Sequence, residues 1–498
     1  MHIIHFASEL APIAKVGGLG DVVYGLSKEL VRLGHTVEII LPKYDCIDYN
    51  LLKNIRICYR NLWSYDGAYQ YNNTIWAAEV DGLSVLLIEP HHPNYLFSRG
   101  SIYNCEDDID RFLYFSRTAM EFLFKSQRNL DVLHLHDWTV AIAPVLLQEM
   151  YLPLGMKQIP TVLTLHNVEH QGKCSPKNLS QIGLRGELYL QPSKLQDPKN
   201  PLLINLLKGG ITYATALTTV SPAYEKEIQT PLGGHGLETL FYAHKEKITG
   251  ILNGIDEDFW NPELDLYLTS RFNTYAPFSP LKLKEIEEKK ADNKKELQKK
   301  LGLEESKDRP LIVCISRLVQ QKSPLLIAHA FRHVLAKGGQ CVILGSTDCE
   351  KTEKLFTDLS LEHSSTHQGA ILLKYNEPLS HLIYAASDLF VVPSLFEPCG
   401  LTQMIALRYG SIPVVRKTGG LSDTIFDVDS DAHPKSQRNG FVFKNPTKKD
   451  LTEALDRAMT LYKTDKEKWT DLQKQGMQMD YSWKKAGQKY CTLYDTIL

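Results

Sequence analysis

The feature that most constrains this chain is how it begins. An apolar run, "HIIHFASE", is broken by "KVGGLG". Next comes "DVVYGLSKELVRLG", with Val22, Val23, Leu26, Leu30 and Leu33 at helical spacing, and then a second apolar run, "HTVEIILP". Strand, glycine loop, helix and strand make a βαβ opening, which implies a parallel sheet. Gly34 suits the end of the helix. The alternation goes on through "LSVLLIEP", "LDVLHLHDW", "IPTVLTLHN", the helical "INLLKGGITYA" and "ATALTTVSP". Open α/β sheets bind ligands at the carboxyl ends of their strands. Ser8, Asp137, His166, Asn167 and Ser221 fall at such ends.

The character changes near residues 262–310, where "LKLKEIEEKKADNKKELQKKLGL" reads as a helix with lysines facing solvent. The alternation then restarts with "PLIVCISRL", the helical "SPLLIAHAFRHVLAKGG", "QCVILG", "GAILLKY", "DLFVVPS" and "SIPVVRK". A chain of 498 residues exceeds what one core usually supports. Two doubly wound α/β domains with a cleft between them are expected, with "YSWKKAGQKYCTLYDTIL" as a terminal helix.

Lys plus Arg number 56 and Asp plus Glu 58, so no general attraction to nucleic acid or an anionic membrane is expected, and any phosphate site must be a local cluster. The nine cysteines include no CxxC pair and no zinc-like spacing, which reads as reduced thiols without a metal. No run approaches a membrane span, and "MHIIHFASEL" lacks a basic region followed by a long apolar stretch. A cytoplasmic protein without a signal peptide is expected.

Three segments carry chemistry. Lys15-Val16-Gly17-Gly18-Leu19-Gly20-Asp21 lies between strand and helix, where glycines permit close approach and a helix start offers N–H groups to an anion. It is neither a Walker A loop nor a dinucleotide fingerprint, and from spacing alone a structural turn is as good a reading as phosphate binding. "CISRLVQQKSP" puts Arg317 and Lys322 after a strand. Two cations there would clamp a diphosphate and stabilise it as it leaves, although surface cations are the commoner case. In "PSLFEPCGLTQMIALRYGSIPVV", Glu397 precedes a helix whose first N–H groups belong to Gly400, Leu401 and Thr402. It reads either as a hydrogen-bond acceptor for sugar hydroxyls or as a carboxylate answering the helix dipole.

Together these segments resemble the bacterial and plant glycogen/starch synthase family. The resemblance covers nearly the whole chain and is carried by "ASELAPIAKVGGLGDVV", "HLHDW", "TLHNVEHQG", "TTVSPAYEKEI", "GILNGIDEDFWNP", "ISRLVQQK", "FEPCGLTQMIALRYGSIPVVRKTGGLSDT" and "SWKKAGQKY". It implies a GT-B fold, two Rossmann-like domains facing a deep interdomain cleft. Residues 1–250 would form the acceptor-side domain and 251–478 the nucleotide-sugar domain, with 479–498 as a helix packing back on the first.

The implied activity is glycogen synthase: retaining transfer of glucose from ADP-glucose to the non-reducing 4-hydroxyl of an α-1,4-glucan, without cofactor or metal. UDP-glucose as donor, a small-molecule acceptor, and a silent glucan-binding relative are the alternatives. The resemblance places Glu397, His166, Asp137, Arg317 and Lys322 in catalysis. Lys15, Gly17, Gly18, Asn253, Cys399, Gly400, Leu401 and Thr402 would contact the donor, and Tyr95 and Asn167 would line the sugar cleft. Oligomeric state is not indicated. The chain departs from the family pattern at Thr139 (often histidine), Ser323 (often glycine), Thr347 (often glycine) and Leu395 (often arginine). These changes are expected near the cleft, bearing on substrate contacts and donor preference. Ile405, where related transferases have a second glutamate, points away from a sucrose-synthase-like group.

Overall fold

A computed structural model describes all 498 residues. The chain divides into two compact units, residues 1–254 with 483–498, and residues 255–482.

The strands of the first unit are β1 (His2–Phe6), β2 (Thr36–Pro42), β3 (Lys53–Asp66), β4 (Tyr69–Val80), β5 (Leu83–Pro90), β6 (Val132–His136), β7 (Thr161–Leu165), the short antiparallel pair β8 (Lys173–Cys174) and β9 (Ile204–Asn205), β10 (Ala216–Thr219) and β11 (Ile248–Gly250). Nine of them form one sheet in the order β11-β10-β7-β6-β1-β2-β5-β4-β3. The strands from β11 to β5 run parallel, and β4 and β3 extend the edge as an antiparallel hairpin. Taken by themselves, the parallel strands follow the doubly wound sequence 3-2-1-4-5-6 with one strand added. β1, β6 and β7 are buried along most or all of their length, as expected for a parallel sheet covered on both faces.

The terminal helix Trp483–Ile497 belongs to this unit. Trp483 lies against the helix Gly18–Arg32 at Gly25, where a Cβ would come within 1.9 Å of the indole nitrogen. Gly487 meets the Glu29 side chain in the same way. Small residues on both helices therefore let the two backbones approach.

The second unit contains β12 (Leu311–Arg317), β13 (Gln340–Ser346), β14 (Gly369–Leu372), β15 (Leu389–Val392), β16 (Ile412–Arg416) and β17 (Phe441–Phe443). All are parallel, in the order β14-β13-β12-β15-β16-β17, again 3-2-1-4-5-6. Its core joins Ile312, Ile343 and Val391 of the sheet to Phe331, Val334, Leu455 and Met459 of the covering helices.

The lysine-rich segment is the helix Pro280–Leu301, capped by the Ser279 hydroxyl and ended by Gly302 at φ 67°. Its expected fully solvated face is a misreading. Lys290 and Lys294 are buried. Lys290 Nζ donates to the carbonyls of Ala385 and Tyr409, both at 2.9 Å, and Lys294 Nζ donates to Asp388 at 2.8 Å. The amino ends find carbonyls and a carboxylate while the stems fill space.

Candidate active site

In a doubly wound sheet, helices leave on opposite faces at the switch of strand order, which opens a crevice at the carboxyl ends there. The switch falls between β1 and β6 in the first unit and between β12 and β15 in the second. The candidate residues cluster at those ends.

In the first unit, β1 leads into Ser8 and Glu9. Glu9 Oε2 accepts the backbone N–H groups of Val16 (2.7 Å) and Gly17 (2.9 Å), and Glu9 Oε1 accepts from the Tyr103 hydroxyl (2.8 Å). Two N–H groups of the glycine segment are thus held by an internal carboxylate. The helix starts at Gly18, so only part of "KVGGLG" is loop. Lys15 Nζ donates to Asp21 at 2.7 Å. Glu9 stood inside the quoted motif, but nothing in sequence spacing indicated its role.

At the end of β6, Asp137 adopts φ 62° and turns its carboxylate toward β7. Its Oδ1 accepts the N–H groups of His166 (2.7 Å) and Asn167 (3.4 Å), which brings these three predicted residues together. Burial pushes the Asp137 carboxyl up to about 7, against the pull of those two N–H groups. His166 is pushed down to about 3 by burial, so its ring is neutral. Thr139 is not a wall of this crevice. It is buried and donates to Ser8 Oγ (3.2 Å), so the departure there changes the interior behind β1 and β6. Two predicted residues share no hydrogen bond with this cluster. Tyr95 is 71% exposed on the segment after β5. Asn253 is buried after β11, with its side-chain oxygen unpartnered.

In the second unit, the segment after β12 is stitched to the segment after β15. The Leu395 N–H donates to the Gln321 carbonyl (2.7 Å), and Gln321 Nε2 donates to the Phe396 carbonyl (3.2 Å). Lys322 Nζ donates to Glu397 Oε2, which also accepts from the Ser394 hydroxyl at 2.8 Å. Glu397 Oε1 makes no hydrogen bond within the protein, so one oxygen of this buried carboxylate is uncommitted. Arg317 ends β12, exposed and without an ion-pair partner.

Gly400 has φ 72°, a conformation that favours glycine, and the Gln403 amide nitrogen donates to its carbonyl (2.7 Å). Cys399 is buried, Leu401 and Thr402 are half-buried, and the helix Thr402–Arg408 starts there. The glycine pair of "KTGGLSDT" has a packing reason. A Cβ on Gly419 or Gly420 would fall 2.0 Å from the carbonyl oxygen of Glu397 or of Cys399. Sequence reasoning missed Ser394, Gln321 and Gln403, ordinary polar residues whose partners lie on other loops. The Ser323 departure is also explained. Ser323 has φ 55°, where glycine fits without strain. Thr347 is half-buried at the end of β13, and its hydroxyl accepts the Cys349 N–H at 3.2 Å.

Comparison with known proteins agrees with this arrangement. A family model described as starch synthase catalytic domain matches residues 2–243, and one for glycosyl transferases group 1 matches residues 293–476. A glycogen synthase of Protochlamydia amoebophila is 48% identical over 100% of this chain and 99% of its own length. A glycogen synthase 1 of Trichormus variabilis is 44% identical with the same coverage. Among solved structures, the catalytic domain of starch synthase IV from Arabidopsis thaliana, bound to ADP and acarbose, superposes with a TM-score of 0.95 at 45% identity, covering 100% of this chain and 99% of that one. Sucrose-phosphate synthase from Thermosynechococcus elongatus, at TM-score 0.61 and 14% identity, shares the fold alone. With full-length identity at this level, and the family's motifs gathered at both switch points, the chain belongs to the glycogen/starch synthase family of GT-B glycosyltransferases.

Proposed function

We propose that this chain transfers glucose from ADP-glucose to the non-reducing 4-hydroxyl of an α-1,4-glucan, with retention of configuration. The observation that carries the reading is the cation–carboxylate arrangement at the second unit's switch point. Lys322 is paired with a buried glutamate that keeps one oxygen uncommitted, and Arg317 ends β12, the strand that leads into Lys322. The relatives' names and the ADP and acarbose in the Arabidopsis structure support the donor and acceptor classes.

In this reading the second unit holds the nucleotide sugar. Glu397 Oε1 accepts hydrogen bonds from glucose hydroxyls, and the backbone at Cys399–Thr402 lies beside the donor. Arg317 and Lys322 neutralise the diphosphate as its bond to C1 breaks. Asn253 is also assigned to the donor. The first unit carries the acceptor side, where Asp137, His166, Asn167 and Tyr95 stand near the transferred sugar. The acceptor hydroxyl attacks from the face the diphosphate leaves. The C1–O bond to phosphate breaks as the new glycosidic bond forms, and the departing phosphate oxygen takes the acceptor proton. Positive side chains take the charge-neutralising part that a divalent cation plays in metal-dependent transferases.

Labelled ADP-glucose and UDP-glucose, offered in parallel with glycogen as acceptor, test the reading. Label from ADP-glucose is expected. Label from UDP-glucose alone would reassign the donor, and none from either would favour a silent glucan-binding relative.

A further inference from the structure

Behind the candidate site, histidines line up across β1 and β6. His5 is register-paired with His134 on the neighbouring strand, and His136 lies two residues on, on the same face. The three are buried and their rings lie 4.5–5.2 Å apart. They could be taken for a metal site, since their ligand atoms lie within 4.8 Å of one another. The hydrogen bonds argue otherwise. His134 engages Tyr494 through Nδ1 (2.7 Å) and Thr164 through Nε2 (2.6 Å). His136 engages His5 through Nε2 (2.9 Å) and His166 through Nδ1 (3.0 Å). Only Nε2 of His5 is uncommitted, and it is buried without a partner.

His5, His136 and His166 therefore form a chain that leads to the candidate site. Burial holds His5 and His166 at about 3 and His136 well below its ordinary range, so all three rings are neutral. A neutral imidazole has one donor and one acceptor nitrogen. Each ring-to-ring bond needs one proton, and His136 has one proton to give, so only two arrangements exist. In one, every ring is protonated on Nε2, which leaves an N–H of His5 buried without an acceptor. In the other, every ring is protonated on Nδ1, and His5 buries only a lone pair. Orphaned buried N–H groups are the rarer defect.

We infer that the unpartnered Nε2 of His5 fixes the tautomer of His166. It directs the protons along His5 and His136, so that His166 Nδ1 presents an N–H, rather than a lone pair, to a hexose oxygen. His5 and His136 are then positioning residues, acting through His166. The inference rests on the reading above that His166 stands beside the transferred sugar.

Ring-nitrogen NMR of the full chain labelled with ¹⁵N-histidine tests it without reference to turnover. Nδ1–H forms for His5, His136 and His166 are expected, and Nε2–H forms overturn the inference. One variant adds a second spectrum. His5→Phe leaves His136 Nε2 facing no partner, so the same preference for a buried lone pair should keep His136 and His166 in their Nδ1–H forms. A folded His5→Phe protein with Nε2–H forms overturns the inference, and if that variant does not fold the wild-type spectrum decides. A wild-type protein showing Nδ1–H forms but no transfer from either nucleotide sugar would sink the proposed function and leave the tautomer assignment standing.

Discussion

Single side chains carry the most local tests. Glu397 is held from one side by Lys322 and Ser394, so its position depends on a charge partner also assigned to the diphosphate. Replacing Glu397 or Lys322 by alanine is expected to lower kcat/KM by roughly 100-fold or more, the scale of losing a fixed charge at a transition state. Steady-state kinetics with ADP-glucose check this, and near-normal turnover removes the residue from the mechanism.

Ser323 makes the opposite kind of prediction. Its left-handed backbone costs a non-glycine residue about 1 kcal/mol, so Ser323→Gly should raise stability by about that much in a denaturant titration. Asp137 makes a third, through pH. Its carboxyl is raised by burial from 3.8 to about 7, so the folded state keeps a proton that the unfolded chain has released. The resulting stability is complete below pH 3.8 and is lost as pH rises through about 7. Asp137→Asn keeps an oxygen for the His166 and Asn167 N–H groups. Its Tm should therefore gain on wild type by roughly 1–3 °C more at pH 8 than at pH 5. Calorimetry showing a pH-independent difference contradicts the shift.

At the scale of elements, the helix Pro280–Leu301 shows where composition misleads. Most of its lysines face solvent, but Lys294 reaches a largely buried Asp388 whose carboxylate also accepts the Leu311 N–H at the start of β12. Lys294→Ala leaves that carboxylate without its cation. It should destabilise the second unit by roughly 3 kcal/mol, measured as a lower urea midpoint for that unit's transition; a loss within error would show that water compensates. The β3–β4 hairpin was invisible for a related reason. Most of β3 is exposed, so its residues carry no buried periodicity for a reader to follow. The parallel strands were legible because burial on both faces makes each of them a short apolar run bounded by turns.

For the whole molecule, repeated βαβ crossovers made two doubly wound sheets readable, since each crossover is local in sequence. The motifs around Lys15, Arg317, Lys322 and Glu397 were readable because each is contiguous. The supporting networks were not. His5 meets His136 across 131 positions, and Glu9 meets Tyr103 across 94, pairings that only the closed sheet creates. The central claim is that these parts perform one reaction, retaining transfer of glucose from a nucleotide sugar to the end of a glucan. Elongation of a defined malto-oligosaccharide with ADP-glucose, followed by NMR of the new anomeric protons, tests it most directly. The prediction is added glucose at the non-reducing end, every new bond α-1,4. A β-linked product, or an acceptor left unextended, would contradict it.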